Sequence, residues 1–233
     1  MTEKIWKSLN IYKMDKNQNM EAEDYHFRFK IVLVGDNGVG KTTLLDALTQ
    51  TYGRVLENEV VEEMHFKSVI FVDETTFYRL NYWDLPGSER YLPVTSRYCA
   101  GSTAALFVFD LTKRASFDRI ERWIKECEKV EILTKVLLGN KFDIATKNNI
   151  NVVSKTEAMS LARKYGMEYF EISALDENNL AHIFEHVFNS IVANIPNPPD
   201  PGMLLGKSIS LGRRLTNNPK FKTALFDTDS RYD

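Results

Sequence analysis

The stretch GDNGVGKT at 35–42 constrains this chain more than any other. It sets two glycines, separated by four residues and followed by Lys and Thr, between an apolar run, FKIVLV, and a helical pattern, TTLLDALTQ. Glycine lets successive backbone N–H groups turn inward around an anion, and the helix that starts directly afterwards adds the positive end of its dipole. Strand, phosphate-cradling loop and helix in that order form the P-loop pattern. In it Lys41 reaches the β- and γ-oxygens of a nucleotide and the Thr42 hydroxyl ligates Mg2+. Asp36, Asn37, Gly38, Val39, Gly40 and Thr43 complete the expected contacts to the phosphates.

Apolar runs and helical patterns alternate along the rest of the chain. The segments 29–35, 104–111 and 135–140 are short, two-sided and β-branched, as strands covered on both faces should be, and 169–173 is a shorter fourth. Helical patterns occupy 42–51, 119–129, 155–165 and 179–193. This alternation predicts an α/β domain with a mainly parallel sheet and helices on both faces. The stretch 68–85 holds two β-rich runs joined by the polar DETT, which predicts a hairpin and one antiparallel edge strand. Five of the seven prolines follow residue 195. We therefore expect a flexible extension at 1–25, a single folded domain at 26–195 and a mostly disordered tail at 196–233.

Composition excludes several classes. A net charge of -2 gives no reason to expect nucleic acid, and no apolar run reaches the roughly 18 residues of a membrane span. The two cysteines, Cys99 and Cys127, sit inside regular segments and read as packing residues of a cytoplasmic protein. The N-terminal MTEKIWKSLN lacks the apolar core of an export signal.

A phosphate loop alone does not choose a base. Asn140-Lys141-Phe142-Asp143 directly follows the strand KVLLG. A carboxylate at Asp143 accepts from the N1–H and 2-amino group of guanine, whereas adenine presents an acceptor there. Asn140 would brace the loop, and the Lys141 stem would lie along the base. Ser173-Ala174-Leu175, after YFEI, offers the Ala174 N–H to the guanine carbonyl.

Taken in order and spacing, GDNGVGKT, WDLPG, NKFD and SAL resemble the Ras superfamily of small GTPases. The connecting text, ERYLPVTSRYCAGSTAALFVFDLTKRASFDRIERWIKE and ARKYGMEYFEISALDENNLAHIFEHVF, looks most like its Rab branch. The resemblance implies a P-loop NTPase fold with a six-stranded sheet and five helices. It also implies bound GTP or GDP with Mg2+, and a cycle read by effector and regulator proteins through two switch segments. Asp84 would hold Mg2+ through water and the Gly87 N–H would sense the γ-phosphate.

Four departures bear on turnover. Ser88 stands where the family has the glutamine that orients the attacking water, and its hydroxyl is too short to span water and phosphate. The expected loss is on the order of 100-fold, roughly 3 kcal/mol of barrier. Pro86 fixes φ just ahead of the sensing glycine, and Asn37 puts a side chain beside the γ-phosphate. The first switch segment, GRVLENEVVEEMHFK at 53–67, has no threonine, and alignment on Phe66 puts Val61 at the metal-ligand position. Slow hydrolysis by a working switch is expected, the alternative being a GTP-binding interaction module that hardly hydrolyses. Glu57, Glu59, Glu62 and Glu63 read as solvated surface rather than replacement ligands.

Other signals in the chain are weaker. His182, Glu185 and His186 match the H-x-x-E-H zinc pattern, but Ile183, Phe184, Val187 and Phe188 make the same helix a core stripe. Arg213 and Arg214 with Ser208 and Ser210 could attract a kinase or acidic lipid, a solvated tail being the plainer reading. Trp83 and Tyr82 resemble the family's exposed aromatic patch. The chain ends RYD without the cysteine that Rab proteins prenylate, so membrane association is expected only through a partner, and the protein is expected to be monomeric.

Overall fold

A computed structural model describes residues 25, 27–51, 54–61, 63–73, 76–148, 150 and 152–194. The stretches read as a flexible extension and a disordered tail lie outside these residues, except for Tyr25.

One seven-stranded sheet organises the chain: β1 (Phe27–Val34), β2 (Arg54–Val61), β3 (Met64–Asp73), β4 (Thr76–Asp84), β5 (Ala104–Asp110), β6 (Thr134–Asn140) and β7 (Glu168–Glu171). Their order across the sheet is β2-β3-β4-β1-β5-β6-β7. β3 pairs antiparallel with both β2 and β4, and the other pairings are parallel. The connectors include α1 (Lys41–Thr51), a 3-10 turn (Glu89–Val94), α2 (Thr95–Cys99), α3 (Arg114–Cys127), α4 (Phe142–Lys147), α5 (Lys155–Lys164) and α6 (Glu177–Ala193).

The central strands are buried on both faces because consecutive residues point to opposite sides of the pleat. In β1, Ile31 and Leu33 join one core cluster with Leu44, Leu48, Leu80, Phe184 and Phe188, which packs α1 and α6 on one face. Val32 and Val34 join the other, with Phe107, Phe109, Ile120, Trp123 and Ala158, which packs α3 and α5 on the opposite face. Cys99 and Cys127 are buried in this second cluster.

The α/β architecture agrees with the sequence, but the strand count is seven where six were expected. The added strand is β2, inside the stretch read as a loop. RVLENEVV centres on Glu57, Asn58 and Glu59 and reads as solvated; its backbone nevertheless pairs with β3 from Arg54↔Ile70 to Val61↔Met64, with a bulge between Val55 and Glu57. Among the described residues there are six α-helices rather than five, and α3 starts at Arg114, ahead of the first apolar repeat. The two the sequence did not signal, α2 and α4, have five and six residues, too short to carry an apolar period. Tyr82 is not part of an exposed aromatic patch: strand alternation buries it to 3% while its neighbour Trp83 stays half-exposed, 4.9 Å from the Phe66 ring.

The sheet's direction of growth reverses beside β1, between β4 on one side and β5 on the other. Loops leaving the carboxyl ends of β1, β4, β6 and β7 therefore converge, at the place where open α/β sheets bind ligands. Leu80, 1% exposed, lies under α6 in this core. Leu80→Ala is expected to cost about 3 kcal/mol, read as a lower urea midpoint with an unchanged slope.

Candidate nucleotide site

Lys41 opens α1 and is 6% exposed. Its ammonium folds back to donate to the carbonyls of Gly35 at 2.9 Å and Asp36 at 3.0 Å. Burial lowers its pKa, against the pull of Asp84 and Asp36. The next residue, Thr42, donates its hydroxyl to Asp84 Oδ2 across the gap between α1 and the end of β4. The second oxygen, Asp84 Oδ1, is buried with no hydrogen-bond partner among the described residues. Burial raises the Asp84 pKa, while Lys41, Thr42 and His65 act in the opposite direction. The two side chains expected to hold Mg2+ are thus brought together, with one carboxylate oxygen uncommitted.

Behind Asp84, the Gly87 carbonyl accepts the Asn37 N–H at 3.2 Å. A Cβ on Gly87 would fall 2.4 Å from the Asn37 nitrogen, so only glycine lets this segment lie against the phosphate loop. Pro86 and Gly87 are buried, whereas Asn37 and Gly38 are exposed. Ser88 is half-exposed in an extended conformation, and its hydroxyl caps no amide of the 3-10 turn. Val61 ends β2 beside the turn into β3 and is 57% exposed.

Two anchors fix the phosphate loop from outside, and the sequence signalled only one. Asn140, 2% exposed at the end of β6, donates to the Val39 carbonyl at 2.8 Å and accepts the Ala174 N–H at 3.1 Å. One carboxamide so joins the loops after β1, β6 and β7. Gly40, at φ +95°, leaves it room: a Cβ there would sit 2.4 Å from Asn140 Nδ2. The Ala174 amide read as a donor to guanine here donates to Asn140.

The second anchor is Asp36. Its carboxylate is buried and accepts from Arg119 Nε at 2.6 Å and Trp123 Nε1 at 2.8 Å, both on α3, so its side chain faces away from the loop's interior. Arg119 is 83 positions away in sequence, and no short motif marks the pair.

Lys141 takes a left-handed turn at φ +66°. Its ammonium donates to the Gly38 carbonyl at 2.8 Å and lies 2.7 Å from Asp110 Oδ2. Asp110, which sequence reasoning missed, also accepts from the Thr112 N–H and hydroxyl at 2.9 and 2.7 Å. Asp143 is exposed in the first turn of α4, and Thr43 is exposed in the first turn of α1. Ser173 is buried, with its Oγ accepting the Leu175 N–H at 3.2 Å, and Leu175 is 76% exposed. His182 and His186 belong elsewhere, on α6, where His186 Nε2 lies 3.0 Å from Glu168 Oε1.

A phosphate loop on the first strand of a doubly covered sheet, with its lysine folded onto it and three further loops braced against it, defines a P-loop nucleotide-binding domain. The Ras family model matches residues 30–193. The human Ras-related protein Rab-25 is 36% identical over 180 residues, 76% of this chain and 82% of its own length. RABA1e of Arabidopsis thaliana is 35% identical over 171 residues, 72% and 77% of the two chains. The GTP-binding protein ypt3 of Schizosaccharomyces pombe is 33% identical over 179 residues, 76% and 82%. The chain belongs to the Ras family of small GTPases and is Rab-like.

The Asp110 contacts have a pH signature. Burial would raise its pKa, but the hydrogen bonds from Lys141 and Thr112 outweigh it and hold the carboxyl below its ordinary value of 3.8. A depressed folded-state pKa adds stability that is present above the unfolded value and lost as pH falls below it and through the folded-state value. Urea midpoints between pH 7 and pH 3 are therefore expected to fall less steeply below about pH 4 in Asp110→Asn than in the unaltered chain.

Proposed function

We propose that this chain is a guanine-nucleotide switch that holds GTP and hydrolyses it slowly. The observation that carries the reading is the Asn140 bridge, which sets the base-recognition loop and the phosphate loop in one fixed relation. In this reading the amides of Asp36 to Thr43 and the Lys41 ammonium bind the phosphates. Asp143 accepts from the guanine N1–H and 2-amino group. The Lys141 stem lies along the base, and the Ser173-Ala174-Leu175 loop closes its carbonyl edge.

Thr42 and Asp84 would hold Mg2+, and the buried, unpartnered Asp84 Oδ1 fits that role. When bound, the cation neutralises charge between the β- and γ-phosphates. Gly87 lies against the phosphate loop, which suits it to report the γ-phosphate to the segment beginning at Ser88.

Hydrolysis needs a water held in line with the γ-phosphate, and a serine hydroxyl at 88 is too short to hold it. Binding is thus retained and turnover reduced. Rab and Ypt relatives point to a role in membrane trafficking, with effector and regulator proteins as partners and membrane contact made through them. A second reading, a GTP-binding interaction module that hardly hydrolyses, draws on the pairing of β2: the segment holding Val61 lies on the sheet.

Single-turnover chromatography of the Mg2+–GTP-loaded protein tests the proposal. The class rate is about 10⁻⁴ s⁻¹, and a loss on the order of 100-fold leaves most GTP intact for hours. Ser88→Gln is expected to restore a comparable factor. GDP forming in the unaltered protein at the class rate or faster would contradict the assignment of Ser88.

A further inference from the structure

We propose that the outer edge of β2 is a docking strand for the chain's own C-terminal segment 207–211, KSISL, which lies outside the described residues. β2 ends the sheet: its inner edge pairs with β3 along its length, and no described strand lies on its other side. Backbone N–H and C=O groups therefore face outward, an arrangement to which an extended segment adds by continuing the ladder. Neither face is covered towards the strand's end. The successive residues Val60 and Val61 are 58% and 57% exposed, and Val55 is 42% exposed. Open valines along a free edge are the pattern that native sheets cover.

Charge selects the occupant. Residues 54–63 hold four glutamates, Glu57, Glu59, Glu62 and Glu63, against one arginine, and the stretch stays net acidic when the pairs Glu57–Arg79 and Glu63–Arg90 are counted. A second copy pairing edge to edge would set these carboxylates against one another, which is destabilising. By contrast, residues 203–226 carry Lys207, Arg213, Arg214, Lys220 and Lys222 and no acidic residue. Within them KSISL, flanked by Gly206 and Gly212, alternates serine with Ile209 and Leu211. That is the period of a strand with one apolar face, suited to Val55 and Val60, which the register sets on one face opposite Val69 and His65.

Reach is sufficient. Asn194 Nδ2 lies 3.5 Å from Thr134 Oγ1 at the start of β6, five strand spacings from β2, or about 24 Å. The twelve residues 195–206, with four prolines among them, span up to about 37 Å in an extended proline-rich form. Docking would staple 54–61 to the sheet and keep that segment from the nucleotide. This consequence rests on reading 53–67 as the first switch, whereas the docking itself does not.

Hydrogen–deuterium exchange on the full chain at low ionic strength tests the proposal, with Ile209→Pro as the variant because proline cannot donate to the ladder. In the unaltered chain, peptides covering 205–212 and 54–61 are both expected to exchange about tenfold slower than in the variant, unchanged on dilution. Equal exchange of 205–212 in the two chains would overturn the docking. Protection lost on dilution would assign the edge to a second copy, and a variant effect confined to the tail would place its site elsewhere; either overturns the proposal. GTP binding is read separately on both chains, so failure of the nucleotide reading is distinguishable from failure of the docking.

Discussion

The Asn140 carboxamide is the contact through which the site coheres. A side-chain amide is both donor and acceptor, and here each function goes to a different loop: the donor to Val39, the acceptor to Ala174. Both bonds are buried, so removing the side chain would leave a backbone carbonyl and an N–H unpaired, each costing about 1–3 kcal/mol. The sheet register prepares the junction by setting Asn140 beside Asp110, whose carboxylate holds Lys141. Successive residues of one strand end thereby brace the phosphate loop from beneath and clamp it from its exposed side.

Helix α3 supports the same loop from the other flank. Arg119 and Trp123 hold the Asp36 carboxylate, and Arg122 reaches Glu89 at 2.9 Å, just after Ser88. Arg90, next along, pairs with Glu63 at the end of the β2–β3 hairpin. The phosphate loop, the segment after β4 and the hairpin are thus tied in series through side chains on or facing one helix. The ties differ in strength: the Asp36 carboxylate is buried, while the Arg122–Glu89 and Arg90–Glu63 pairs are exposed and worth little individually. A rigid phosphate site beside weakly held flanking segments is the arrangement a nucleotide-dependent switch needs.

Much of this was legible in the chain. Glycine spacing between a strand and a helix located the phosphate loop, and two-sided apolar runs located the central strands. NKFD and SAL marked the loops after β6 and β7 because each follows a strand of fixed polarity. What was not legible depended on distant partners. Asp36 reads as a loop residue until Arg119 and Trp123 arrive from α3, and Asp110 reads as a strand end until Lys141 turns back onto it. β2 was hidden because its glutamates resemble solvated loop, and only the ladder of β3 makes it a strand. Tyr82 and Trp83 show the reverse case, neighbours in sequence that alternation sends to opposite faces.

Selection of guanine nucleotides by four converging loops is tested by calorimetric titration of the nucleotide-stripped protein with GDP and with ADP, in Mg2+. The expected result is tight one-to-one GDP binding and a preference over ADP on the order of 10⁴-fold, as where a buried polar site rejects the unmatched base. Equal affinity for the two nucleotides, or no binding of either, would contradict it.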